Sequence, residues 1–248
     1  MSVYVATLIL LLGLAFPFRQ WIGLISVTAA TLVVVGWWER GRWRLGLFVP
    51  LQVALREGLL GALFGTALIG ACALAVVLST GVHHVAGNGF PWLELAFVFI
   101  PAAVHEELLF RGYPFQKLYA WSRPFAIFFV ALVFAALHLG NPYATFIGIA
   151  NIFIGGVLLG LAYAAFERLW FPIGLHLAWN LMTGPILGHE VSGYESAETV
   201  LREIGDGPLW LTGGDFGIEG SLWMSAAELL GIMLLSRYVR SRSKGVTT

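Results

Sequence analysis

The 248-residue chain has a formal net charge of zero, and 58% of its residues are hydrophobic whereas only 11% are charged. Its mean hydropathy of +0.83 excludes a soluble domain, because so few charged residues cannot cover the surface of a soluble fold. The single cysteine, Cys72, excludes a disulfide framework and a thiolate metal cluster. We therefore predict an all-α fold, a polytopic membrane helical bundle.

Apolar runs near the roughly 20 residues that cross a bilayer recur along the chain. They predict eight transmembrane helices, at about 2–18, 20–38, 58–82, 90–109, 124–140, 144–166, 169–187 and 221–237. The first run has no basic residue before it, and we interpret it as a retained helix and not a signal peptide. Only Arg19 separates the first two runs, which alternatively form a bent or re-entrant pair. No linker divides residues 1–248, so we expect one bundle, with the motifs described below at about 90–187.

The basic residues predict how the bundle is oriented. With the N-terminus in the cytoplasm and eight alternating helices, all Lys and Arg residues except Arg19 and Arg202 fall on the cytoplasmic side. Cytoplasmic loops collect Lys and Arg, so we expect an integral cell-membrane protein with both termini cytoplasmic. The loop at 188–220 would then face outward. This outer loop holds Glu190, Glu195, Glu198, Glu203, Asp206, Asp215 and Glu219.

The stretch HEELLFRGYPF, residues 105–115, places charged residues at the inner end of an apolar run. Ionisable groups inside a membrane bundle are costly and by default mark a site, a relay or a specific pairing. Glu107 and Arg111 are four residues apart and can pair on one helix face, whereas Glu106 is turned by about 100°. We interpret Glu107 as structural and Glu106 as available for chemistry. Alternatively, both carboxylates cap the cytoplasmic end of the helix.

Further polar residues interrupt the later helices. His138 lies in FAALHLGN, and His176 and Asn180 lie in GLHLAWN. His176 and Asn180 share one helix face, and two hydrogen-bonding side chains at that spacing suit an oxyanion site. The alternative is an interhelical hydrogen bond that holds the bundle together. Glu228, in MSAAELLG, has no role that its sequence context indicates.

A Glu, two His and an Asn on three successive helices supply the groups that hydrolyse an amide with water. They offer a general base, a partner that orients it or shares its proton, and an electrophile stabiliser. The HExxH zinc pattern fails, because Leu109 occupies the position of its second His. At about 1.5 Å per residue, His138 lies about 20 Å along its helix and His176 about 10 Å along its own. A tilted fifth helix, or one that starts within the membrane, would bring them together.

The motifs Glu106-Glu107-x-x-x-Arg111, Phe134-x-x-x-His138 and His176-x-x-x-Asn180 resemble the three signature motifs of the CPBP family. That family, named for CAAX proteases and bacteriocin processing, comprises intramembrane endopeptidases related to the type II CAAX prenyl endopeptidase. GGDFGIEGS, at 213–221, also resembles a segment before the last helix of bacterial members.

The resemblance implies an intramembrane endopeptidase with a glutamate-activated water. By analogy, Glu106 and His138 would activate the water, and His176 with Asn180 would stabilise the oxyanion. The supporting residues would be Glu107, Arg111 and Phe134. No cofactor is expected in this mechanism.

The sequence also allows other interpretations of the site and of the function. If zinc binds, its ligands would be Glu106, His138 and His176. The expected partners are the lipid bilayer and a membrane-associated peptide or protein substrate, prenylated only if the chain processes CAAX sequences; no nucleic acid is expected. The alternative functions are a non-catalytic immunity or scaffold protein of the same fold, which would lose a motif residue, and a transporter or proton relay, which would favour repeated halves.

Overall fold

A computed structural model describes residues 19–40 and 45–245, and the predicted helix at 2–18 lies outside these residues. Most of the described chain is helical, as the sequence predicts. The helices are α1 (Arg19–Val33, continued by the π-helical turn Val34–Trp38), α2 (Leu51–Ser79), α3 (Trp92–Glu94, Leu95–Phe99 and Ile100–Arg111 in one run), α4 (Tyr113–Trp121), α5 (Arg123–His138), α6 (Phe146–Phe166), α7 (Trp170–Leu181, continued by the π-helical turn Met182–Ile186), α8 (Leu209–Thr212) and α9 (Leu222–Gly245).

The described helices make this an integral membrane protein. Those long and apolar enough to cross a bilayer are Gln20–Trp37, Leu51–Ser79, Phe146–Phe166 and Leu222–Arg242. All seven predicted runs within the described residues coincide with helices, but helix length and composition do not establish the predicted count of eight spans. Helix α5 is apolar but has only 16 residues, about 24 Å of rise, and α3 carries several charged residues.

Glycines allow α2 and α7 to pack against each other at close range. A Cβ atom added to Gly61 would lie 2.1 Å from the carbonyl oxygen of Phe171, and one added to Gly174 would lie 2.0 Å from that of Gly58. Small residues that let backbones approach are a common basis of helix association in membranes. Because residues two apart point to nearly opposite sides of a helix, Gly174 faces α2 while His176 faces away from it.

Helix α6 lies between two buried apolar clusters. One joins it to α2, α7 and α9, and the other joins it to α3, α4, α5 and α7. On the α5 side, a Cβ atom at Gly156 would lie 2.9 Å from the Cα of Ala131, so these helices also approach closely. Helices α6 and α7 thus contribute to both clusters.

Residues of the outer loop pair with the segment after α2 as a two-stranded antiparallel sheet. Strands β1 (His83–Ala86) and β2 (Leu201–Ile204) pair with His84 opposite Glu203. The all-α prediction omitted this sheet, because four-residue strands are too short to show a clear alternation of apolar and polar residues. The sheet lies at the end of the bundle where α2 ends and α3 begins.

Substitution of Gly174 by Ala should destabilise the bundle. The added methyl group would overlap the carbonyl of Gly58, and overpacking of a tight interface typically costs about 1 to 3 kcal/mol. We expect a lower melting temperature of the purified protein in detergent. Gly70→Ala on α2 is the matched control, because nothing lies within 4 Å of its added Cβ. Equal melting temperatures of the two variants would contradict this account of the interface.

Candidate active site

A cavity of about 500 Å³ lies among α1, α3, α5, α6, α7 and α9 and is closed in part by the outer loop. Its lining includes Glu106, His138, His176 and Asn180. The structure therefore brings to one space the four residues that the sequence analysis singled out for chemistry. Their catalytic roles stay a prediction.

Glu107 and Arg111 form a buried ion pair on α3. Both side chains are almost fully inaccessible, and an Nη atom of Arg111 donates to Oε1 of Glu107 at 3.1 Å. The other Nη of Arg111 donates to the carbonyl of Gly156 on α6 at 3.0 Å. The carbonyl of Arg111 in turn accepts from the amide of Gln116. The pair therefore stabilises one turn of α3, and Arg111 also links α3 to α6.

His176 lies between the two adjacent glutamates. Its Nδ1 is 2.8 Å from Oε1 of Glu107, and its Nε2 is 3.8 Å from Oε2 of Glu106. Since a carboxylate accepts, Nδ1 carries the proton that is donated to Glu107, and Nε2 faces Glu106. Glu107 thus orients His176 as well as pairing with Arg111. The sequence spacing relates His176 to Asn180 and gives no sign of this bond to Glu107.

Glu106 and Glu107 differ in environment as their helical positions predict. The side chain of Glu106 retains 23% exposure, whereas that of Glu107 is fully buried. One oxygen of Glu107 holds both Arg111 and His176. Glu106 lines the cavity and is therefore the carboxylate that a bound substrate can reach.

Phe134 packs between the other site residues. Its ring centre is 4.4 Å from that of His138 and 6.4 Å from that of His176, and the guanidinium of Arg111 lies 5.2 Å from it. Both histidine rings contact this one phenyl ring. His138 and His176 therefore lie close together, although counting residues along their helices placed them at different depths in the membrane. Nδ1 of His138 lies 2.7 Å from the carbonyl of Phe134 and donates to it, which leaves Nε2 as a proton acceptor.

The opposite wall of the cavity comes from the segment before α9 and from α9 itself. Glu219 is buried and accepts from the indole of Trp179 at 2.8 Å, from the backbone amide of Ser192 at 2.6 Å and from its hydroxyl at 2.7 Å. These bonds tie the outer loop to α7. The only sequence signal for Glu219 was its place in GGDFGIEGS, and its partners are too distant along the chain to be recognised.

Glu228 also lines the cavity, from α9. It is 2% exposed, and its Oε2 has no hydrogen-bond partner among the described residues. Gly155 leaves the room that this side chain occupies, since a Cβ atom there would lie 2.9 Å from Oε1. A buried polar oxygen without a partner is costly, so Glu228 offers an unused hydrogen-bonding oxygen to a bound group.

The cavity is acidic. None of its lining residues in the described part of the chain is Lys or Arg, and its acidic side chains are Glu94, Glu106, Glu195, Glu219 and Glu228. Hydrogen-bond donors and cations are therefore favoured inside it, and anions are disfavoured. Peptide N–H groups fit this environment.

Comparison with known families agrees with the motifs. The family model described as "Type II CAAX prenyl endopeptidase Rce1-like" matches residues 88–182. We refer to residues 88–182, which are similar to that family, as the Rce1-like region. The match confirms the resemblance to the CAAX protease family, and the Rce1-like region contains every motif residue from Glu106 to Asn180. No curated protein and no solved structure matches the chain. Glu219 and Glu228 lie beyond the Rce1-like region.

Removal of Arg111 should destabilise the protein. Arg111→Ala leaves the charge of Glu107 compensated by His176 alone, and breaking a buried pair costs about 3 to 5 kcal/mol in soluble proteins. We expect a marked fall in melting temperature and in expression. The matched control is Arg123→Ala, since its pair with Glu167 is about 60% exposed and worth at most about 1 kcal/mol. A stable but inactive Arg111→Ala protein would instead indicate direct participation in catalysis.

Proposed function

We propose that this chain is an intramembrane endopeptidase that hydrolyses a peptide bond of a membrane-associated peptide or protein with a water activated by Glu106. The Rce1-like region supports protease activity at the level of the family. The observation that carries the proposal is the position of His176. Glu107 holds its Nδ1 atom, and its Nε2 atom faces Glu106, which lines the cavity.

In the proposed reaction, Glu106 takes a proton from water as the water oxygen attacks the carbonyl carbon of the substrate. The resulting oxyanion accepts hydrogen bonds from the amide of Asn180 and from Nε2–H of His176. His176 can donate from Nε2 only when it also keeps the Nδ1 proton that it donates to Glu107. The carboxylates on either side stabilise this doubly protonated, cationic form.

Collapse of the tetrahedral intermediate breaks the C–N bond, and the leaving amine needs a proton. The proton that Glu106 received returns to that nitrogen, either directly or through Nε2 of His138, whose Nδ1 is engaged by the carbonyl of Phe134. The cycle ends with Glu106 ionised again. No other group changes its net protonation.

The acidic lining narrows the substrate class. The carboxylates and the absence of Lys or Arg among the described lining residues favour a peptide segment that presents N–H donors or a positively charged side chain. The unused oxygen of Glu228 would accept from such a group. A segment that ends in a free carboxylate within the cavity is disfavoured.

Conversion of Glu106 to Gln should abolish most of the activity without unfolding the protein. Glutamine keeps the shape of the side chain but removes the proton acceptor, so turnover should fall by about 100-fold or more. Asn180→Ala should lower turnover by about 100 to 1,000-fold, the effect of one oxyanion donor. Cleavage profiling of membrane extracts, with the intact protein against each variant, identifies the peptides whose release depends on these residues.

The control for this profiling is Glu167→Gln, which changes an exposed carboxylate outside the cavity and should leave the peptide profile unaltered. If the profiles of the intact protein and Glu106→Gln coincide, the chain is not a protease that uses Glu106. That result would favour a scaffold protein of the same fold.

Metal content distinguishes the two catalytic models. Within the described residues, no group of three or more His, Cys, Asp and Glu side chains is arranged to hold a metal ion. A glutamate mechanism predicts activity that survives strong chelators. Zinc held by Glu106, His138 and His176 would instead give about one ion per chain, lost in His138→Ala, with activity lost on chelation and restored by metal.

We also propose that the basic end of the bundle lies in the cytoplasm. Ion pairs of Lys117 with Glu39, Arg123 with Glu167 and Arg168 with Glu57 cluster around the ends of α4 to α7 that lie away from the outer loop. Cationic residues of membrane proteins concentrate on the cytoplasmic side. The cavity and the outer loop then lie toward the opposite face.

Cysteine accessibility should show this orientation. In a Cys72→Ala background, a membrane-impermeant maleimide added to intact cells should label Ala197→Cys in the exposed outer loop. Ser241→Cys near the end of α9 should react only after the membrane is permeabilised. Labelling of Ser241→Cys in intact cells would reverse the orientation.

A further inference from the structure

A cluster of two histidines and a glutamate lies outside the cavity, on the outer loop and the sheet that it forms. His84 on β1 and His189, just after the π-helical turn that follows α7, approach each other with their Nε2 atoms 3.3 Å apart. Nδ1 of His189 is hydrogen-bonded to a carboxylate oxygen of Glu203 on β2. Since His84 and Glu203 are paired across the sheet, the backbone fixes two of the three residues relative to each other.

The backbone also holds His189 in place. Its amide donates to the carbonyl of Thr183 at 3.0 Å, and its side chain is fully buried. The preceding Gly188 has a φ of +75°, and a Cβ atom there would lie 2.2 Å from the carbonyl of Leu201. Only glycine fits this conformation and this approach, so the turn sets the imidazole of His189 firmly against the sheet.

The hydrogen bond to Glu203 determines which nitrogen of His189 is available. A carboxylate accepts the Nδ1 proton, which leaves the lone pair of Nε2 directed toward His84. Metal-binding histidines typically donate their second nitrogen to a carboxylate in this way. Burial and the neighbouring His189 lower the pKa of His84 from its ordinary value, so His84 also presents a neutral imidazole at neutral pH.

The distances between the two rings match those expected for two histidines that bind one metal ion. Two imidazole nitrogens at about 2.0 to 2.1 Å from one tetrahedral zinc lie about 3.3 Å apart, with ring centres about 5.2 Å apart. The observed separations are 3.3 Å and 5.1 Å. A linear hydrogen bond of that nitrogen separation would place the ring centres about 5.7 Å apart, since each centre lies about 1.2 Å behind its nitrogen.

We propose that His84 and His189 bind one divalent transition-metal ion through their Nε2 atoms, with Glu203 as the residue that positions His189. Imidazole ligands suit zinc, nickel and copper and not magnesium or calcium. Within the described residues no third His, Cys, Asp or Glu completes the set, so water fills the remaining positions and binding is reversible. The acidic residues of the outer loop attract cations to this side of the protein.

This site is separate from the proposed catalysis. Neither His84 nor Glu203 lines the cavity that holds Glu106. Metal at the outer loop would instead join the sheet to the end of α7 and stabilise that junction, because an ion that binds only the folded state raises its stability.

The test uses the full-length protein in detergent, stripped with a chelator and titrated with Zn²⁺ and Ni²⁺ in a calorimeter. We expect one ion of either metal per chain and no binding of Mg²⁺. His84→Ala and His189→Ala should each weaken binding by about tenfold or more, and Glu203→Gln by about 10 to 100-fold, the usual effect of removing a carboxylate behind a ligand. His83→Ala is the matched control, because its exposed side chain contacts Gly81 and not His189.

Melting curves show whether each variant is folded, and the absorption spectrum of the Co²⁺-loaded protein shows directly whether the metal has nitrogen ligands. Undiminished binding by His84→Ala, or no binding by the folded intact protein, would overturn the proposal and leave a hydrogen bond between the two rings. Glu106→Gln should bind metal normally. Metal that is lost in Glu106→Gln and kept in His84→Ala would belong to the cavity instead.

Discussion

The buried carboxylate of Glu107 is the group on which the arrangement of the bundle depends. A charge in this interior costs several kcal/mol unless it is compensated, and compensation comes from Arg111 one turn later and from His176 on another helix. Since Arg111 also donates to the carbonyl of Gly156, a single carboxylate connects α3, α6 and α7. The interaction that keeps the helices together therefore also sets the direction in which His176 faces the cavity.

Local spacing predicted the features that one helix determines. The four-residue interval between Glu107 and Arg111 predicted their pairing, and the 100° turn between adjacent residues placed Glu106 elsewhere. The same reasoning put His176 and Asn180 on one face. These inferences succeed because helical geometry alone fixes them, whatever the neighbouring helices do.

Features that depend on the relative depth of helices were not predictable. Residue counting assumed that each helix starts at the same membrane level, and it therefore separated His138 from His176, although both contact Phe134. The partners of Glu219 lie 40 and 27 residues away. No periodic pattern relates such distant residues, and their contacts follow only from the assembled bundle and the outer loop that covers it.

The acidic lining of the cavity also affects which molecules of the membrane itself can occupy it. Phospholipids surround any membrane protein, and their headgroups carry an anionic phosphate, often together with a cationic ammonium group. Phosphate is held in proteins by Arg, Lys and backbone N–H groups, and the described lining residues supply carboxylates and neither of those cationic side chains. The lining therefore disfavours the phosphate of a headgroup, although it favours an ammonium group. A phospholipid is thus a poor match for the polar part of the cavity, because its headgroup brings a phosphate wherever it brings an ammonium group.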